Sequence, residues 1–73
     1  MNKFSIKLKE LRQSSESSQK SVAESLNIAL RSYQRYEEGS REPDINTLTA
    51  LADYFQVSLD YLVGRSDNPD IKK

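Results

Sequence analysis

The sequence predicts an all-α protein, a compact domain of five short helices. Three observations carry this. Apolar residues recur at three- and four-residue steps almost throughout, and no stretch alternates like a strand for long. Small polar residues, a proline and two glycines fall between the periodic stretches, where such residues cap or stop helices. Finally, 73 residues with no repeat and no long linker make one domain, slightly above the size that needs staples to fold.

The elements follow in order. Phe4, Leu8 and Leu11 make one stripe on a first helix over residues 3–14, while Ile6 lies off it, either exposed or meeting another element. "SSESS" at 14–18 breaks the pattern, and Ser18 can cap a second helix from Gln19 to Leu26 that turns Val22, Ala23 and Leu26 inward. Asn27 tolerates the left-handed conformation of a tight turn, and Ile28 can plug the core beneath it. A third helix over 30–38 places Tyr33 and Tyr36 three apart, and Gly39 stands where helices end. Pro43 forbids simple continuation, so Asp44 can cap a fourth helix whose apolar positions are Ile45, Leu48, Leu51, Ala52 and Phe55. Ser58 caps a short fifth helix, "LDYLV", that stops at Gly64. The domain is expected over 1–66, with a polar tail over 67–73. Its informative piece is the second and third helices: two helices joined by three or four residues form a helix-turn-helix pattern.

Composition narrows the function. With no cysteine there is no disulfide framework or thiolate zinc site, and with no histidine the commonest general base and metal ligand are missing. No paired carboxylates sit on a plausible cleft-facing element, so neither an enzyme, a metal nor a cofactor is expected. "MNKFSIKLKELR" lacks the apolar run of a signal peptide or membrane span, which makes a soluble cytoplasmic protein the default. The net charge of zero hides a split: residues 1–41 carry net +3 and residues 42–73 net −3. Such polarity suits a molecule with one side facing an anion, although chance can also produce it.

"LKELR", a "SQ" opening the second helix, "VAESLNI", an E-x-G-x-R-x-P exit from the third helix, and "VSLDYLVG" occur in that order. Together they resemble the XRE-type, Cro-like helix-turn-helix family of phage and bacterial repressors over about residues 4–64. The resemblance implies a lambda-repressor-like fold. Three positions depart from the family pattern: Ala29 stands where a hydroxyl residue often caps the recognition helix, Asn27 replaces the turn glycine, and "SSESS" replaces a loop that usually holds glycine and an apolar residue. The junction of the first two helices is therefore expected to be looser than usual.

In that fold the third helix lies in the major groove. The resemblance then implies that Ala29, Leu30, Arg31, Ser32, Gln34 and Arg35 meet base edges while Tyr33 and Tyr36 turn inward. The chemistry suits the task. Arginine can bond guanine O6 and N7 together, glutamine can pair with adenine N6 and N7, and apolar groups pack on a thymine methyl. An ordinary solvated helix face is the alternative. Gln19, at the first turn of the second helix, is expected over the phosphate backbone, with Ser18, Ser40 and Arg41 as further phosphate contacts. Lys7, Lys9 and Lys20 supply background potential. The resemblance pairs Arg12 with Glu37 as a structural tie between the first helix and the end of the third.

Leu59, Tyr61, Leu62 and Val63, near Tyr54, are more apolar than one small core needs, so they serve either core packing or a two-fold dimer contact. The expected function is a sequence-specific DNA-binding regulator, a small repressor acting as a homodimer on double-stranded DNA with a near-palindromic operator. The rival is an antitoxin or protein-interaction module built on the same fold, with a protein partner.

Overall fold

The computed structural model describes residues 3–68, and all five expected helices form: α1 (Lys3–Ser14), α2 (Gln19–Ser25), α3 (Leu30–Glu38), α4 (Ile45–Phe55) and α5 (Leu59–Leu62). No strand occurs among the described residues. Residues 69–73 of the expected tail lie outside them.

The helix starts are set by the short polar side chains that precede them. Ser18 Oγ accepts the Ser21 N–H at 2.9 Å, Asp44 Oδ1 that of Thr47 at 2.8 Å, and Ser58 Oγ that of Tyr61 at 3.0 Å. Each removes one of the N–H groups that a helix start leaves unpaired. Helix α3 is the exception, since Ala29 occupies the cap position in extended geometry and supplies no side-chain acceptor. The ends turn through left-handed residues: Asn27 at φ +56 after α2, Gly39 at φ +80 after α3 and Gln56 at φ +55 after α4. Leu26, expected inside α2, is its C-terminal cap, with its N–H bonded to the Val22 carbonyl.

Helix α3 packs on both α1 and α2, and α5 closes the body against α4 and α1. Phe4 and Leu8 of α1, Val22 and Ala23 of α2, Tyr33 and Tyr36 of α3, Leu51 and Ala52 of α4, Val57 and Leu62 form the buried core. Burial decides two positions that the sequence left open. Ile45 is 62% exposed, because as the first residue of α4 it stands at the rim; the buried stripe begins with partly covered Leu48. Leu62 is 0% exposed, so it is a core residue and offers nothing to a dimer partner. Ile6, off the α1 stripe, is exposed.

The α1–α2 connection is tied down rather than open. Ser15 and Ser17 donate their N–H groups to the carbonyls of Leu11 and Arg12 at 3.0 and 3.2 Å, and Glu16 takes the left-handed turn at φ +57. Arg12 Nη1 donates to the Ser17 carbonyl at 3.1 Å, so a side chain of α1 also holds the loop. At the far end, Gly64 sits at φ +84, where a β-carbon would stand 2.9 Å from Cβ of Lys3. Both the conformation and the space require glycine there.

Candidate nucleic-acid interface

The short turn through Asn27 sets α3 beside α2, and burial of Tyr33 and Tyr36 fixes its rotation. With 3.6 residues per turn, anchoring positions 33, 36 and 37 leaves 31 and 35 on the outer side. Arg31 and Arg35 are exposed, as are Ala29 and Leu30, and Ser32 and Gln34 are half-buried. Neither arginine makes an ion pair among the described residues, so both guanidinium groups present their donors to solvent. Leu30 is an apolar residue at 39% exposure on this same first turn.

Beneath this face lies a hydrogen-bonded cluster that joins three helices. Arg12 of α1 reaches Glu37 of α3 with two parallel bonds, Nε to Oε2 at 2.6 Å and Nη2 to Oε1 at 3.1 Å. Tyr33 donates its hydroxyl to Glu37 Oε2 at 2.5 Å, and Gln19 of α2 donates Nε2 to Oε1 at 3.1 Å. Gln34 then donates Nε2 to Gln19 Oε1 over a long 3.4 Å. Glu37 is only 4% exposed, and these four donors satisfy a charge that burial alone would disfavour. Burial pushes its pKa up, but the bonds from Arg12, Tyr33 and Gln19 outweigh it and hold the carboxyl below its ordinary value. The hydrogen bond to Glu37 likewise raises Arg12, and burial together with Glu37 pushes the Tyr33 hydroxyl far above its ordinary value.

The structure thus brings Arg12, Gln19, Gln34 and Glu37 together, and they line one open cleft of about 590 Å³ with Lys9 and Glu38. Gln19 is not a free surface amide, since it is half-buried between Glu37 and Gln34. Ser18 uses its hydroxyl oxygen as the α2 cap and remains exposed. Past the end of α3, Ser40 and Arg41 are exposed; the Ser40 hydroxyl contacts the Arg35 carbonyl and Glu38 at 3.4 Å. Glu38 is exposed beside that serine.

In and just after α5, Leu59, Tyr61 and Val63 are partly buried against the core. Lys7 is committed there: its Nζ lies 4.4 Å from the Tyr61 ring centre, within cation–π range, and 3.9 Å from Glu10. Sequence reasoning missed the share of Tyr33 in the cluster, although its four-residue spacing from Glu37 puts the two on one helix face. Nothing in the sequence signals the Gln19–Gln34 contact, which depends on the angle between α2 and α3.

With this geometry in place, likeness to known proteins is informative. The profile of the helix-turn-helix family matches residues 8–62. The HTH-type transcriptional regulator ImmR of Bacillus subtilis is 43% identical over 61 residues, covering 84% of this chain and 48% of that protein. The cryptic phage CTXphi transcriptional repressor RstR of Vibrio cholerae is 33% identical over 63 residues, covering 86% of this chain and 56% of the repressor. Among solved structures, a transcriptional regulator from Listeria innocua superposes with a TM-score of 0.81 at 32% identity, covering 100% of this chain and 64% of that one. The chain thus spans between about half and two thirds of the length of these relatives. The matched profile takes in α2, its turn and all of α3, and the chain belongs to the XRE-type helix-turn-helix family.

Proposed function

We propose that this chain is a sequence-specific DNA-binding transcription regulator, a small repressor that binds a near-palindromic operator as a homodimer. One observation carries the reading: α3 turns Tyr33, Tyr36 and Glu37 into the protein and leaves Arg31 and Arg35 outside, exposed and without ion-pair partners among the described residues. In this reading α3 enters the major groove. Ala29, Leu30, Arg31, Ser32, Gln34 and Arg35 meet the bases, and Ser18, Gln19, Ser40 and Arg41 meet the flanking phosphates. The net charge of +3 on residues 1–41, which include α1 to α3, supports the approach of a polyanion. The regulator and phage-repressor relatives support the regulatory role. Two copies would set their recognition helices roughly 34–36 Å apart, one turn of DNA. Leu59, Tyr61 and Val63 are the partly buried apolar residues through which the copies would meet.

Selection of bound sequences from a random double-stranded pool tests the whole reading. A preferred, two-fold symmetric site is expected, with affinity falling by about 0.9 log units per log unit of salt for each phosphate neutralised. An asymmetric site would refute the homodimer. Binding that ignores salt, or none at all, would refute the DNA reading.

A further inference from the structure

The buried cluster does more than hold three helices together. We infer that Glu37 is a positioning residue for base recognition: acting through Gln19, it fixes which end of the Gln34 amide faces outward. The inference rests on the DNA-binding reading above.

The chain of constraint starts at the buried end. Paired side by side with a guanidinium, the Glu37 carboxylate carries no proton and can only accept. It is 4% exposed and held by Arg12 and Tyr33, so it cannot turn away. Gln19 must therefore present its NH₂ to Oε1 of Glu37, at 3.1 Å. That choice turns the Gln19 carbonyl toward Gln34, and a carbonyl also only accepts. Gln34 must answer with its own NH₂, at 3.4 Å. One of its N–H groups is thereby committed inward, and its carbonyl oxygen and second N–H remain for the groove.

An isolated glutamine on a helix surface can flip its amide half a turn at little cost, exchanging acceptor for donor. Adenine shows the major groove a donor at N6 beside an acceptor at N7, in an order that reverses when the base pair is reversed. A glutamine of fixed polarity distinguishes the two orders, and one free to flip accepts either. Glu37, which touches no base, thus helps to choose the base.

The experiment is the random-pool selection, repeated on variants of the full chain. Gln34→Ala first identifies the position that Gln34 reads, where a preference of roughly 5- to 150-fold should vanish. Gln19→Leu then cuts the link and leaves the Arg12–Glu37 pair in place. The expected result is a loss of preference at that one position, roughly 2- to 10-fold for one freed side chain, with no further change in base preference when Gln19→Leu is added to Gln34→Ala. Glu37→Gln, whose amide can present either end to Gln19, should relax the same position. Uniform weakening on all sequences, with the preferences intact, would overturn the inference and leave Gln19 a phosphate contact only. NMR of the free protein supplies a check independent of DNA: Gln19→Leu should shift the Gln34 side-chain amide resonances, and unchanged resonances would overturn the link itself. If the resonances shift but the unaltered chain selects no sequence, the DNA reading fails and the role in base choice falls with it.

Discussion

Arg12 and Glu37, 25 residues apart in the chain, face each other as a two-bond fork in which the carboxylate is almost wholly buried. The pair ties the last turn of α1 to the last turn of α3. It also holds the α1–α2 loop, because the remaining guanidinium nitrogen bonds the Ser17 carbonyl. One side chain therefore joins three segments.

Removing one partner should be severe. Arg12→Ala strands a buried carboxylate and should destabilise the domain by about 3–5 kcal/mol, whereas replacing both charges by apolar residues of similar volume should cost far less. Urea denaturation of Arg12→Ala and of the doubly replaced variant measures the difference.

The pH dependence has two limbs with opposite causes. Glu37 has its folded pKa below the ordinary 4.5, so its contribution is complete above that pH and is lost as pH falls through the lower folded value. Tyr33 is raised above its ordinary 10.0, so its contribution is complete below pH 10.0 and is lost as pH rises. Denaturation midpoints followed across pH should fall on both sides. Tyr33→Phe should remove the alkaline contribution of this residue, and Glu37→Gln should flatten the acid limb.

Ala29 already has cap geometry without a cap group. Ala29→Ser should stabilise the domain by about 0.5–2 kcal/mol, read as a rise in Tm of several degrees. An unchanged or lower Tm would show that the start of α3 does not limit stability.

Arg31→Ala or Arg35→Ala should weaken a selected site by about 1–3 kcal/mol and relax one base position wherever that arginine reads a base. An equal loss on selected and random DNA assigns the residue to phosphate instead. Titration of both DNAs at one salt concentration separates the outcomes.

Leu62→Ala should cost about 2–5 kcal/mol as a core truncation, while Ile45→Ser at the rim of α4 should change stability by about 0.5 kcal/mol or less. Thermal or urea unfolding of both variants tests the placement of these two residues.

Much of this fold was legible because its decisive signals are local. Asn27, Gly39, Asp44 and Ser58 each act on a backbone group within a few residues of themselves, so sequence alone places their turns and caps. Gln56 and Glu16 escaped, because neither is a residue type that ordinarily marks a left-handed turn. Sequence left Ile45 and Leu62 undecided for a shared reason: periodicity gives the face of a helix but not how far along its axis the neighbours reach. The rotation of α3 follows from Tyr33 and Tyr36, which is why the outer positions of Arg31 and Arg35 agree with the expectation. The Gln19–Gln34 contact arises only once two helices are set at a particular angle, and no spacing rule encodes that.

The close approach of Gly64 to Lys3 has a topological consequence. The first and last turns of the helical body meet at one spot, so the chain path from α1 to α5 is nearly a closed ring. A short bridge between these two points would complete it, and the ring could then be opened at the exposed 40–42 turn, between α3 and α4. Such a circular permutant would start at α4 and finish with α3, keeping every helix-to-helix interface while making α3, with its exposed arginines, the last element of the fold.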